Sequence, residues 1–220
     1  MAQNNTRLEA VLCDFDGTIT SCEVIGKIYK KFASGNCEQL VKMWIQGEIS
    51  TPEEIQGCFA TIHATQQEME SELRSISIDA NFPAFLDFCR KQNYPFAILS
   101  DGLQWYIDFI LNLHGISGVT VYANQIHFKP TGFEFSFPWY DPNTPKRGTS
   151  KPMIIKRYQN IGYKVIFIGD GLSDVEAVHF ADKVYAKGKL LEICQNQHLP
   201  VIGFADFADL LNIWQSAEKR

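Results

Sequence analysis

Residues 8–20 read LEAVLCDFDGTIT, and this stretch decides the fold. Leu8–Asp14 is short, apolar and rich in β-formers, the pattern of a strand buried on both faces. It runs directly into Asp14-Phe15-Asp16-Gly17-Thr18, a turn that carries two carboxylates two residues apart. In open parallel sheets, ligands gather outside the carboxyl ends of such strands, where the winding direction switches.

Working outward, three more apolar runs repeat the pattern: Pro95–Leu99, Val119–Ala123 and Lys164–Ile168, with a weaker one at Lys183–Ala186. Helical spacing fills the gaps. Phe82, Phe85, Leu86 and Cys89 fall on one helix face, as do Leu103, Tyr106, Ile107, Ile110 and Leu111, and then Ile154, Ile155, Tyr158 and Ile161. Short strands alternating with amphipathic helices predict an α/β fold, a Rossmann-like parallel sheet with helices on both faces.

Two stretches break the alternation. Residues 22–76 contain no good strand, and their apolar residues form helical groups around Val24–Phe32, Leu40–Ile45 and Ile55–Ile62. Thr51-Pro52-Glu53-Glu54 reads as an N-cap followed by a first-turn proline and acids. The expectation is a separate small helical domain, 22–76, inserted into a core of 1–21 and 77–220. Residues 124–140 alternate around Pro130-Thr131-Gly132 and predict a β-hairpin insert within that core.

Composition excludes several classes. With 220 residues, 45% hydrophobic and 20% charged, the chain can bury a core and is not disordered. The net charge of −5 argues against nucleic acid as the main partner, and no apolar run reaches the ~20 residues of a membrane helix. MAQNNTR lacks the basic and apolar regions of a secretory leader, so a cytoplasmic protein is expected. The six cysteines show no C-x-x-C pair and no metal-site spacing, and are expected to be reduced and mostly buried.

The strand ends carry the chemistry. Besides Asp14 and Asp16, they bear Ser100-Asp101-Gly102 and Gly169-Asp170-Gly171-Leu172-Ser173-Asp174, and Lys151 opens the helix before the strand Lys164–Ile168. Asp14, Asp16, Asp170 and Asp174 in one place would demand a cation. Oxygen ligands beside small-residue turns suit Mg²⁺, which takes remaining ligands from water and a substrate phosphate. Ser100, Lys151 and turn amides are phosphate partners. Together they suggest phosphoryl transfer, with one of the carboxylates free to act as nucleophile; the spacing does not choose between Asp14 and Asp16. An EF-hand fails because its sixth and twelfth places hold Ile19 and Ile25, and neither a phosphate-binding P-loop nor a G-x-S-x-G elbow occurs.

The four clusters, in this order, resemble the four motifs of the haloacid dehalogenase-like phosphatase superfamily, over nearly the whole chain. The helical insert between the first two motifs, and Glu23 nine residues after Asp14, are similar to the phosphoserine phosphatase-like branch. Asp14–Thr20, Leu99–Gly102 and Phe137-Pro138-Trp139 resemble enzymes related to the methionine-salvage 2-hydroxy-3-keto-5-methylthiopentenyl-1-phosphate phosphatase, and phosphocholine/phosphoethanolamine phosphatases share that outline. The loop Asn143–Ser150 lacks the cysteines such relatives carry there.

The resemblance implies a Mg²⁺-dependent phosphomonoesterase for a small phosphorylated metabolite. Asp14 would be the nucleophile and Asp16 the acid–base group. Asp14, the carbonyl of Asp16 and Asp170 would hold the metal, and Asp174 would support its shell or bind Lys151. Ser100, Lys151 and the amide of Asp101 or Gly102 would hold the phosphoryl oxygens, with the Asp101 side chain turned away. Glu23 would face the substrate. The aromatic hairpin face leaves room for a homodimer contact. Rival readings are a transferase, a phosphonate-cleaving enzyme using a cap lysine, and a non-catalytic phosphate- and Mg²⁺-binding regulatory domain. A lapsed enzyme should have lost Asp14 or Asp16, and both are present.

Overall fold

A computed structural model of the chain describes residues 8–218. Residues 1–7 and 219–220 of the expected core, including the N-terminal stretch read for a leader, lie outside the described residues. Strand β1 (Glu9–Cys13) is buried from Ala10 onward. Four helices follow: α1 (Val24–Phe32), α2 (Cys37–Ile45), α3 (Thr51–Phe59) and α4 (Gln66–Leu73). Next come α5 (Phe82–Lys91), β2 (Phe96–Leu103), α6 (Gln104–Leu113), β3 (Thr120–Phe128) and β4 (Phe133–Ser136). Then follow α7 (Lys151–Asn160), β5 (Lys164–Gly169), α8 (Val175–Val178), β6 (Lys183–Ala186), α9 (Gly188–Asn196), β7 (Ile202–Gly203) and α10 (Phe207–Glu218).

The strands form a seven-stranded sheet in the order β4-β3-β2-β1-β5-β6-β7. The pairs β1–β5, β5–β6 and β6–β7 are parallel, and β3–β4 is antiparallel. This is the α/β fold that the alternation predicts, with the order reversing at β1. Among the described residues, no helix is long and apolar enough to cross a membrane.

The chain falls into two compact units. One comprises the described residues of Met1–Asp14, Asp79–Ala97 and Lys151–Arg220; the other comprises Phe15–Ile78 and Ile98–Ser150. In the first, β1 and β5 are in register from Glu9 opposite Lys164 to Cys13 opposite Ile168. The Asp14 amide donates to the Ile168 carbonyl at 2.8 Å, so the ladder runs one residue past the strand and fixes the aspartate at its end. No helix is read from the sequence beyond residue 186. Yet α10 places Phe207, Leu210 and Trp214 on one buried face. Phe207 meets Phe82 and Phe85 of α5 at centroid distances of 5.1 and 5.2 Å, in a cluster Trp214 completes.

In the second unit, the ends of the helical segment are pinned to each other. Thr20 bridges Ile78, and the Ser21 amide donates to the Ser77 carbonyl at 3.1 Å. The fourth helix, α4, adds to the three groups read from the sequence. Its apolar content is only Met69 and Leu73, both buried, and its start is set by a capping box between Thr65 and Glu68. A second box shifts the start of α3. Ser50, not Thr51, is its N-cap, with the Glu53 carboxylate taking the Ser50 amide at 2.7 Å. Thr51 becomes the first helical residue, and its hydroxyl serves elsewhere.

Two further expectations are corrected. Cys37 and Cys58 are not reduced thiols but a disulfide between α2 and α3, with Cα atoms 4.6 Å apart. A pairing across 21 residues comes from helix packing, which motif spacing cannot show. Cys13, Cys22, Cys89 and Cys194 remain free thiols. Strand β2 does not end at Leu99 but continues to Leu103, so Ser100-Asp101-Gly102 lies within the strand. The hairpin forms as expected, with Gln125 opposite Ser136 and Phe128 opposite Phe133. Gly132, at φ +88°, makes the turn that other residues would adopt only under strain.

Candidate active site

Within the first unit, Lys151 is the centre of a buried ion cluster. It opens α7, is 1% exposed, and its Nζ lies 2.5 Å from both Asp14 Oδ1 and Asp174 Oδ1. Burial alone would push the ammonium down. The two carboxylates outweigh it and hold Lys151 well above its ordinary value, fully charged. Burial, and then the charge of Asp174, drives the Asp14 carboxyl upward, while Lys151 pulls it back.

Asp174 is fixed from both sides. Its Oδ1 takes Lys151, and its Oδ2 accepts the amides of Asp170 and Gly171 at 2.9 and 3.0 Å. Gly169 is required by this packing, because a Cβ there would sit 2.5 Å from Asp174 Oδ2. One donor oxygen each from Asp14, Asp170 and Asp174 lies within 4.8 Å of the others, so this group can hold a metal ion. A set of carboxylate oxygens alone fits a hard cation.

The second unit presents a separate network around Asp16. The turn after Asp16 needs Gly17, at φ +74°. Asp16 Oδ1 accepts the Val24 amide at the start of α1, at 2.9 Å. Its Oδ2 accepts Tyr106 Oη at 2.8 Å and Ser100 Oγ at 3.3 Å, while Ser100 Oγ itself accepts the Gly102 amide at 3.0 Å. Gly102 has no room for a side chain, since a Cβ would collide with the Tyr106 hydroxyl. Sequence reasoning misses Tyr106, which it counts only as an apolar position of a helix. A tyrosine in so buried a row must find a partner for its hydroxyl, and that is the available signal.

The structure brings Asp14, Lys151, Asp170 and Asp174 together in one unit, and Asp16, Ser100 and Gly102 together in the other. Glu23 is exposed at the N-cap position of α1 and makes no side-chain cap. Asp101 is buried, and its carboxylate accepts the amides of Gly148 and Thr149 and the hydroxyl of Thr51. Nothing in the sequence marks Thr51, Asn124, Gly148 and Thr149 as partners of a site residue. A cavity of about 970 Å³ in the second unit, between residues 56–66 and 128–135, touches none of the site residues.

The model of the haloacid dehalogenase-like hydrolase family matches residues 11–179, and the chain belongs to this family. Within it, the chain is a phosphatase, like its named relatives. It is 29% identical to the 2-hydroxy-3-keto-5-methylthiopentenyl-1-phosphate phosphatase of Brevibacillus brevis, over 95% of this chain and 96% of the relative. The Bacillus pumilus enzyme of the same name is 31% identical, over 91% and 88%. A solved phospho-aspartyl intermediate analogue of phosphoserine phosphatase shares the fold, with a TM-score of 0.71 at 16% identity, over 94% of this chain and 99% of that one.

Proposed function

We propose that this phosphatase is a Mg²⁺-dependent phosphomonoesterase that hydrolyses a small phosphorylated metabolite through an aspartyl-phosphate on Asp14. The observation that carries the reading is the buried cluster in which Lys151 bridges Asp14 and Asp174 beside Asp170. Two carboxylates and a lysine so deep would be a costly way to stabilise a fold, since apolar residues of similar size serve as well or better. Their use is chemical.

In the proposed reaction, an oxygen of Asp14 attacks phosphorus and the ester P–O bond breaks. Asp16, two residues on, gives its proton to the leaving oxygen. Asp16 then takes a proton from water as that water attacks phosphorus, the bond to Asp14 breaks, and inorganic phosphate leaves. Bound Mg²⁺ would neutralise phosphate charge, held by Asp14, Asp170 and the carbonyl of Asp16, with Asp174 supporting. Lys151, Ser100 and the Asp101 or Gly102 amide carry the phosphoryl oxygens. Residues 22–76 serve as a cap to the core of 1–21 and 77–220, with 124–140 as the hairpin insert and Glu23 turned to the substrate. The pinned ends at Thr20–Ile78 and Ser21–Ser77 suit a segment that opens and closes as a piece.

Similarity to the Brevibacillus and Bacillus enzymes makes a phosphorylated hydroxy-ketone the first substrate to try. The test is a screen with Mg²⁺ over that class, phosphoserine, phosphocholine, phosphoethanolamine and pyridoxal phosphate, using release of inorganic phosphate as the readout. One compound should exceed the rest by at least about tenfold in kcat/KM, the low end of the discrimination that one methylene of apolar fit supplies. A flat response would overturn the idea of a dedicated metabolic enzyme.

A further inference from the structure

We propose that Asp101 is a positioning residue whose carboxylate ties the first turn of α3 and the loop Lys146–Thr149 to β2, forming a latch on the segment that leads into Lys151. This deepens the phosphatase reading and rests on it. Asp101 Oδ1 accepts two consecutive amides, from Gly148 at 2.8 Å and Thr149 at 2.9 Å. Its Oδ2 accepts the Thr51 hydroxyl at 2.5 Å. The direction of that hydroxyl is forced, because Thr51 Oγ1 also accepts the Trp44 indole N–H at 3.0 Å. With a donor already pointing at its oxygen, the Thr51 proton goes to Asp101.

Other bonds tie the same segments together. The Thr51 amide donates to the Lys146 carbonyl at 2.9 Å, and Lys146 Nζ to the Glu48 carbonyl at 3.3 Å. Asn124 Nδ2 donates to the Asp101 carbonyl at 2.7 Å, while Asn124 Oδ1 accepts the Thr149 hydroxyl at 3.1 Å. Gly148 is there because a Cβ would lie 2.5 Å from Asn124 Oδ1. Thr51, Asp101, Asn124 and Thr149 are all buried. Burying a polar group is costly unless it is hydrogen-bonded, and a carboxylate that takes this many donors restrains each of them.

Three consequences follow for the chemistry. The peptides flanking Asp101 are fixed, including the Gly102 amide beside Ser100 Oγ. The loop is held two residues before Lys151 in the chain. And α3, in the segment proposed as the cap, is fastened through its first residue. Loss of the latch should therefore lower turnover, since small misplacements of binding groups cost up to about a hundredfold in rate.

The test uses Thr51→Val, which deletes the hydroxyl at constant shape, Thr51→Ser, which restores it, and Asp101→Ala, which removes both acceptor oxygens. Each is assayed in the full chain with Mg²⁺ and p-nitrophenyl phosphate, and by amide hydrogen exchange. We expect Thr51→Val to lower kcat by about tenfold or more, and Thr51→Ser to recover most of it. Exchange at Gly148 and Thr149 should rise at least about tenfold in Asp101→Ala. A folded Thr51→Val enzyme with wild-type kcat and KM, or unchanged exchange at Gly148 and Thr149 in a folded Asp101→Ala, overturns the proposal. If the wild-type chain releases no phosphate from any substrate, the phosphatase reading fails instead, and the exchange result still decides the latch.

Discussion

Replacing Glu54 by glutamine should remove a pH-dependent loss of stability. Glu54 is 6% exposed on α3, one turn after Thr51, and its Oε2 accepts the Tyr29 hydroxyl at 3.2 Å. Burial raises its carboxyl from 4.5 to about 7; the Tyr29 hydrogen bond opposes the rise and the charge of Asp101 adds to it. The folded chain thus holds this proton more tightly than the unfolded chain does. Below pH 4.5 both forms are protonated and nothing is lost. Between pH 4.5 and 7 unfolding releases the proton, so stability falls as pH rises, and above about pH 7 the loss is complete. That gap, at about 1.36 kcal/mol per pH unit, amounts to about 3 kcal/mol. The glutamine side chain keeps an oxygen for Tyr29 and never ionises. Urea unfolding of both proteins should be followed from about pH 4.5 to about pH 8, which spans the window between the two protonation states. Other titrating groups are common to both chains and cancel in the difference. The stability of Glu54→Gln relative to wild type should climb by about 3 kcal/mol across this range. A difference that stays flat with pH would refute the assignment of a buried, proton-holding Glu54.

Four further outcomes are expected. Asp14→Asn should abolish phosphate release, measured by molybdate assay, and EDTA should silence the wild-type enzyme until Mg²⁺ is restored. Lys151→Met should be inactive and should unfold about 3–5 kcal/mol more easily in urea, because it leaves Asp14 and Asp174 unpaired in the interior. Tyr106→Phe should lower kcat by roughly tenfold with KM little changed, since it deletes only the hydroxyl bound to Asp16 Oδ2; an unaltered pH–rate profile would count against a role at Asp16. Ser50→Ala should cost about 1 kcal/mol in thermal unfolding, whereas Thr51→Ala should leave the cap of α3 intact.

The fold was legible because its signals are local. β1 and β5 announce themselves as apolar runs, and α5 and α6 as helical spacing. The site was legible where a residue's type is itself unusual for its place, as with Asp14 after a buried strand or Lys151 at a helix start. What stayed hidden depends on long-range geometry. Thr51, 50 residues before Asp101, is an ordinary first-turn residue until the loop 146–149 and β2 are in place. The Cys37–Cys58 pair and the partner of Tyr106 are hidden for the same reason. α4 escapes because it has too little apolar surface to register, whereas Phe207, Leu210, Leu211 and Trp214 of α10 do fall at helical spacing, so that helix lies within reach of the periodicity.

The acid excess of the chain takes on meaning at the first unit's cluster. Asp14, Asp170 and Asp174 against Lys151 leave two negative charges in one place, the charge that a single divalent cation cancels. Lys151 cannot be the whole answer, because one ammonium already shared between two carboxylates has little left for a phosphate dianion. Burial and the charge of Asp174 push the Asp14 carboxyl upward, against the anionic form that attack on phosphorus needs. In the proposed mechanism a cation at Asp14 and Asp170 would oppose that push and offset the charge of the incoming phosphate at once, so substrate binding and turnover should rise together as Mg²⁺ is titrated in.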